Sequence, residues 1–170
     1  MNESTLNWYA LYVKSRSEFV TEGELVKKGV ESYLPGVKKL RRWKDRNKWV
    51  NFPLFPGYLF VHIEPRVEEF AKVLSTRGVV NMLGSTQGVP TPVPPDEIFS
   101  LQLLVGSGMD LNVYPHLKEG AKVRITRGPL SGAEGVFERM ESQYLFVVNI
   151  ELLGRRVGVR LHAGDVEPVS

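Results

Sequence analysis

Phe55-Pro-Gly-Tyr-Leu-Phe-Val61 decides how this chain is read. Proline followed by glycine fixes one backbone angle and frees the next, which marks a turn. The run over residues 58–63 behind it is apolar and aromatic, the composition of a buried strand. A second run of the same texture, residues 6–13 (Leu-Asn-Trp-Tyr-Ala-Leu-Tyr-Val), suits a central strand covered on both faces. Between the two, Ser15-Arg-Ser-Glu18 reads as a capping box opening a helix of about four turns or fewer. Phe19, Val20, Gly23, Val26 and Val30 fall near one stripe of that helix, and Gly29 offers a left-handed stop. Residues 37–43 and 48–54 flank the polar Lys44-Asp-Arg-Asn47 and read as the arms of a β-hairpin with a charged tip.

Working toward the C-terminus, Val67, Phe70, Ala71 and Leu74 recur at helical spacing, Gly78 ends that element, and residues 79–83 form a further strand. After a Pro-rich stretch, Asp96-Glu97 opens a last helix with Ile98, Leu101, Leu104 and Val105. Residues 5–105 therefore predict an α/β sandwich within an α+β chain. Residues 106–117 lack periodicity and read as a flexible linker. From 118 to 170 the texture is pure β, with strands expected at 121–126, 134–140, 144–150, 155–161 and 166–168. Five short strands in so little chain predict a small barrel, because an open sheet of that size leaves its edges unpaired.

Composition narrows the function. The 170 residues are 42% hydrophobic and 24% charged, an ordinary globular mixture. No apolar run approaches a bilayer span, and Met1-Asn-Glu-Ser-Thr5 lacks the basic start and apolar core of a secretory signal, so a cytoplasmic protein away from membranes is expected. The absence of cysteine excludes disulfides, thiolate chemistry and sulfur-ligated metals. His62, His116 and His162 have no metal-ligand spacing, and no serine stands in a nucleophile-elbow context. Glu68-Glu69 is best read as a solvated helix face. No catalytic residue, metal or cofactor is expected, and the chain is read as a non-enzyme.

The net charge of +3 resides in the first half, where residues 1–105 hold 14 basic and 11 acidic groups. Lys38, Lys39, Arg41, Arg42, Lys44, Arg46 and Lys48 are opposed locally by Asp45 alone. That density attracts polyanions by counterion release. It equally describes a solvated hairpin tip kept soluble by its lysines, and charge does not choose between the two. Trp43 and Trp49 flank this basic stretch. Stacking on bases and pinning the hairpin to its own sheet both stay open for them.

Three segments carry a family resemblance. Trp8-Tyr-Ala-Leu-Tyr-Val-Lys14 and Phe55-Pro-Gly-Tyr-Leu-Phe-Val61 resemble the opening strand and the most distinctive motif of the NusG N-terminal (NGN) domain. Glu119-Gly-Ala-Lys-Val-Arg-Ile-Thr-Arg-Gly-Pro-Leu-Ser-Gly-Ala-Glu-Gly135 resembles the KOW motif that starts the family's SH3-like C-terminal barrel. Within it, Gly128 to Gly132 gives a tight turn and Gly135 permits a close backbone approach, while the lack of a Gly-Lys-Ser/Thr ending argues against a phosphate loop. The resemblance implies an NGN-type sandwich, an antiparallel sheet with flanking helices, followed by a KOW barrel. Val147, Val148, Ile150, Val157 and Val159 favour strands in that barrel.

The same resemblance implies function. Family members dock a concave apolar patch on the clamp helices of RNA polymerase, and the matching residues are Tyr12, Phe55, Pro56, Tyr58 and Phe60. Two aromatic-rich strands supply more large side chains than so small a domain easily buries. Taken without the family, the same residues read as plain core. Specialised relatives touch non-template DNA, and the matching positions are Lys14, Arg16, Lys27, Thr76 and Arg77, each of which also reads as an ordinary surface group. The barrel of the family recruits Rho or a small-subunit ribosomal protein through a loop matched by Leu152, Leu153, Gly154 and Arg155; housekeeping members usually carry phenylalanine where Leu153 stands. Arg41-Arg-Trp-Lys-Asp-Arg-Asn-Lys48 ahead of Phe52-Pro-Leu-Phe-Pro-Gly57 resembles operon-specialised antiterminators of the UpxY and RfaH kind. A monomeric, specialised elongation factor is the expectation. A housekeeping NusG and a ribosome-associated RNA-binding KOW protein stand as alternatives.

Overall fold

In this computed structural model the described residues are 5–86, 88–139, 143–162 and 168–169, of which 162, 168 and 169 are described by their backbone alone. The chain divides into two compact units, Met1–Pro92 and Val93–Ser170. Among the described residues no helix is long and apolar enough to cross a membrane.

The first unit runs β1 (Asn7–Val13), α1 (Glu18–Lys27), β2 (Glu31–Tyr33), β3 (Gly36–Arg42), β4 (Asn47–Pro53), β5 (Tyr58–Ile63), α2 (Val67–Leu74) and β6 (Val79–Met82). Four strands form an antiparallel sheet in the order β2-β5-β1-β6, and β3 and β4 pair as a separate two-stranded sheet. Side chains alternate across a strand, so Tyr9, Leu11 and Val13 of β1 share one face with Leu59, Val61 and Ile63 of β5. These six are buried with Leu25 of α1 and Val73 of α2, and they make the core of the unit.

The first helix departs from its sequence reading. Its buried residues are Glu18, Thr21 and Leu25, whereas Phe19, Val20 and Val26 are exposed. The reason is a polar dock. Thr21 donates its hydroxyl to the Arg77 carbonyl at 3.0 Å, and Gly78 lies so close that a Cβ there would collide with the Thr21 hydroxyl oxygen. The capping box does not form either, since Ser17 occupies the cap position and makes no side-chain cap bond. The left-handed stop does form at Gly29 (φ 75°), with Val30 N–H reaching the Leu25 carbonyl at 3.0 Å.

The second unit begins with α3 (Pro95–Gly106) and continues through β7 (Leu111–Tyr114), β8 (Lys122–Ile125), β9 (Glu134–Arg139), β10 (Gln143–Ile150), β11 (Arg155–His162) and β12 (Pro168–Val169). The strands form one antiparallel sheet in the order β12-β8-β9-β10-β11-β7, the frame of the small SH3-like barrel. Most of the strand expected at 166–168, like residue 140 at the end of another, lies outside the described residues. Gly135 sits where the motif requires, since a Cβ there would collide with the Val147 carbonyl.

The division between units differs from the sequence reading. The helix expected to close the first domain at residue 105 belongs to the second unit, where Ile98, Leu101 and Leu104 are buried. Ser100 accepts the Glu134 N–H at 2.9 Å, Glu97 accepts the Glu151 N–H at 3.2 Å, and Lys122 meets Asp96 at 3.1 Å. Part of the expected linker is strand as well, because β7 pairs with β11 over four residues. Arg156, 7% exposed, holds that edge: its guanidinium lies 4.2 Å from the Tyr114 ring centroid, donates to His116 Nε2 at 3.2 Å and meets Glu138 at 3.5 Å.

Candidate functional site

With one face of the first sheet committed to the core, the other carries the residues of opposite parity. The register pairs Trp8 with His62, Ala10 with Phe60 and Tyr12 with Tyr58. Trp8 and His62 stack at 4.5 Å, Tyr33 of β2 lies 6.4 Å from both Trp8 and Phe60, and the Tyr12 and Tyr58 rings sit 5.6 Å apart. An aromatic row therefore crosses three strands. Its two ends differ in polarity, because His62 Nδ1 meets the Glu31 carboxylate at 2.8 Å at one end while two phenols stand at the other.

Of the five expected contact residues, Tyr12 is 43% exposed, Pro56 is exposed and Tyr58 is half-buried. Phe55 and Phe60 are buried, at 2% and 0%, and their expected place on an open patch is corrected. Phe60 stands on the central strand between Tyr33 and Ala10. Phe55 opens the turn whose closing bond is Tyr58 N–H to the Phe55 carbonyl, 3.0 Å. Proline at the second position and glycine at the third with φ 87° are what a type II turn demands. Val13 N–H then bonds the Gly57 carbonyl at 2.8 Å, which seats the turn beside β1 and brings Tyr58 opposite Tyr12. Trp8 belongs to the aromatic strands that the sequence marks for this face, whereas Tyr33 and His62 are not marked by it. Trp8 and His62 follow from register, but Tyr33 rides on a three-residue strand too short to read. Burial pushes the Tyr33 phenol up to about 12, and among the described residues its hydroxyl has no hydrogen-bond partner.

The expected DNA-contact positions separate. Lys14, Arg16 and Arg77 are exposed where β1 leaves the sheet and β6 enters, joined by the Lys14 N–H to Gly78 carbonyl bond of 2.8 Å. Lys27 lies at the far end of α1, about 15 Å along the axis, and pairs with Glu24 at 3.2 Å. Thr76 is corrected: it is 3% exposed, and its hydroxyl donates to the Lys72 carbonyl at 2.9 Å. A short hydroxyl side chain after a helix satisfies the helix's free carbonyls, and that role turns it inward.

In the second unit the expected recruitment loop is a 3-10 turn, Glu151–Leu153, closed by Gly154 in the left-handed conformation (φ 63°). Leu153 is buried, at 7% exposed, so Leu152 and Arg155 are the more accessible members of the turn. Arg155 donates to the Leu153 carbonyl at 3.0 Å. Beside this turn a cleft of about 490 Å³ is lined by Asp96, Glu97, Lys118, Lys122, Glu134 and Glu151 among others. Burial there, reinforced by the charges of Glu151 and Asp96, pushes the Glu97 carboxyl up to about 7 against the opposing Glu151 N–H bond and Lys122. Among the described residues no group of three or more His, Cys, Asp or Glu is placed to hold a metal.

An antiparallel α/β unit with an accessible tyrosine pair, followed by an SH3-like barrel with a closed loop, defines a modular protein that presents its candidate groups on a sheet face, a turn and a loop. The family described as transcription termination factor nusG matches residues 6–102, more than half of the chain, and the chain belongs to the NusG family. Its class is that of transcription termination and antitermination factors. The NusG of Borreliella burgdorferi is 24% identical over 95% of this chain and 98% of its own length. The NusG of Halalkalibacterium halodurans is 24% identical over 96% and 98%, and that of Staphylococcus carnosus 25% identical over 94% of each. A solved structure concerned with domain interaction in Thermotoga maritima NusG superposes with a TM-score of 0.55 at 25% identity, covering 98% of each chain.

Proposed function

We propose that this chain is an elongation factor that binds the clamp helices of RNA polymerase through the Tyr12–Tyr58 end of the aromatic row and thereby modulates pausing, termination or antitermination. The observation that carries the reading is the accessible tyrosine pair, 5.6 Å apart, with Pro56 exposed beside it on the turn. Large amphipathic rings held rigidly at a surface are what binding hot spots favour. Phe55 and Phe60 act from beneath, fixing the turn and the central strand. The mechanism is mechanical: a bridge across the polymerase cleft holds the clamp closed on DNA and disfavours paused states. Lys14, Arg16 and Arg77 touch non-template phosphates, with Lys27 farther away at the C-terminal end of α1. The turn carrying Leu152 and Arg155 recruits a second partner, Rho or a small-subunit ribosomal protein.

The test is co-purification of polymerase with tagged protein. Tyr58→Ala abolishes recovery of polymerase while the unfolding midpoint stays within a few degrees of the parent, because a half-buried ring at the end of the row contributes little to the core. Undiminished recovery refutes the face.

The basic segment Arg41–Lys48 ahead of Phe52 supports an operon-specialised paralogue over a housekeeping factor. Polymerase occupancy after gene deletion changes at one or a few long operons in that case, and across the genome in the other.

A further inference from the structure

The hairpin β3–β4 takes no part in the proposed polymerase face, and its chemistry is unclaimed. Residues 38–49 are exposed almost without interruption. Trp43 is 62% exposed, Trp49 65% and Leu40 48%, which removes the reading in which the tryptophans pin the hairpin to a sheet. Among the described residues no hydrogen bond or ion pair engages the side chains of Lys38, Lys39, Arg42, Lys44, Arg46 or Lys48, while Arg41 lies 4.9 Å from the Phe52 ring centroid. Six cations without anionic partners on one short ribbon make a concentrated positive field that attracts an external polyanion.

Register shows how the groups are laid out. Leu40 stands opposite Trp49, Arg42 opposite Asn47 and Lys38 opposite Asn51. Alternation along the strands puts these six on one face. Trp49 lies at its centre, flanked along its own strand by two amides and diagonally by two cations. The Trp43 N–H to Arg46 carbonyl bond, 2.8 Å, closes a tip that carries the second indole with Lys44 and Arg46.

We propose that this ribbon is a binding surface for single-stranded RNA. Exposed indoles offer stacking planes for unpaired bases, and the flanking cations meet the phosphates on either side. A ribbon built to read duplex DNA in the major groove carries hydrogen-bonding side chains at its centre; here the centre is Leu40 and Trp49, which suit bases already out of the stack. Asn47 and Asn51 both donate and accept, as the ribose 2′-hydroxyl does, and this favours RNA over single-stranded DNA. The inference does not depend on polymerase contact.

The experiment measures fluorescence anisotropy of an unstructured, labelled RNA of about 12 nucleotides with the full chain at several salt concentrations. The RNA binds more tightly than DNA of the same sequence or its duplex. Trp49→Ala weakens binding about tenfold and Trp49→Phe largely restores it. Replacing Lys38, Lys39, Lys44 and Lys48 by Gln flattens the salt dependence, by roughly 0.7 in the logarithmic slope for each phosphate no longer neutralised. These residues are exposed, so the unfolding midpoint of every variant matches the parent. Equal affinity for DNA, preference for duplex, displacement by polyglutamate at matched charge, or an unaltered affinity in Trp49→Ala overturns the proposal.

Discussion

The first unit contains two antiparallel strand pairs of similar length and opposite character. β1 and β5 lie at the middle of a sheet and alternate strictly: Tyr9, Leu11, Val13, Leu59, Val61 and Ile63 enter the core, while the opposite face carries the aromatic row from Trp8 to Tyr58. β3 and β4 pair over seven rungs yet bury neither face beyond their base near Val37 and Phe52. An isolated two-stranded ribbon is marginal in water unless something anchors it. Here the anchor is the base, with the Leu54 N–H bonded to the Pro35 carbonyl at 2.8 Å, and the remaining side chains are left free for solvent or a ligand. Identical backbone pairing thus serves stability in one case and display in the other, and burial of the side chains makes the difference.

Truncation exposes that difference most sharply. Leu59 is fully buried, so Leu59→Ala lowers the unfolding free energy by about 2–5 kcal/mol, read as a shift of the denaturant midpoint at unchanged slope. Gly57→Ala has an intermediate effect. Its φ of 87° is strained for any side chain, and a Cβ there would come into van der Waals contact with the Tyr12 ring at 3.4 Å. A cost of about 1–3 kcal/mol is expected, together with altered environments of Tyr12 and Tyr58 in aromatic NMR shifts. Leu40→Ala on the hairpin changes stability by less than about 0.5 kcal/mol although the same aliphatic side chain is removed. Equal losses at Leu40 and Leu59 would break the comparison, because they would mean that the ribbon is part of the folded core.

What the sequence revealed follows the same physics. β5 was readable to the residue, because its apolar run is bounded by a Pro-Gly turn, and both hairpin arms were readable from the charged tip between them. The buried stripe of α1 was not. Glu18 and Thr21 are polar, and only tertiary contact with Gly78 makes Thr21 an interior residue. The affiliation of α3 was hidden for a related reason: spacing of Ile98, Leu101 and Leu104 says that a face is buried, not which partner buries it. β7 is not legible between Gly108 and Pro115, because its pairing with β11 reaches across more than forty residues. The candidate face was legible as a set of aromatic residues. Its division into accessible tyrosines and buried phenylalanines depends on the Gly57 turn and on neighbours that no local pattern announces.

Site-specific photo-crosslinking with p-benzoylphenylalanine in place of Tyr58, and separately in place of Trp49, tests the central claim most directly. A crosslink from position 58 to the largest subunit of RNA polymerase, with none to that subunit from position 49, is the predicted result. Absence of a polymerase crosslink from position 58, in protein that folds and co-purifies with the enzyme, contradicts the assignment of the tyrosine face.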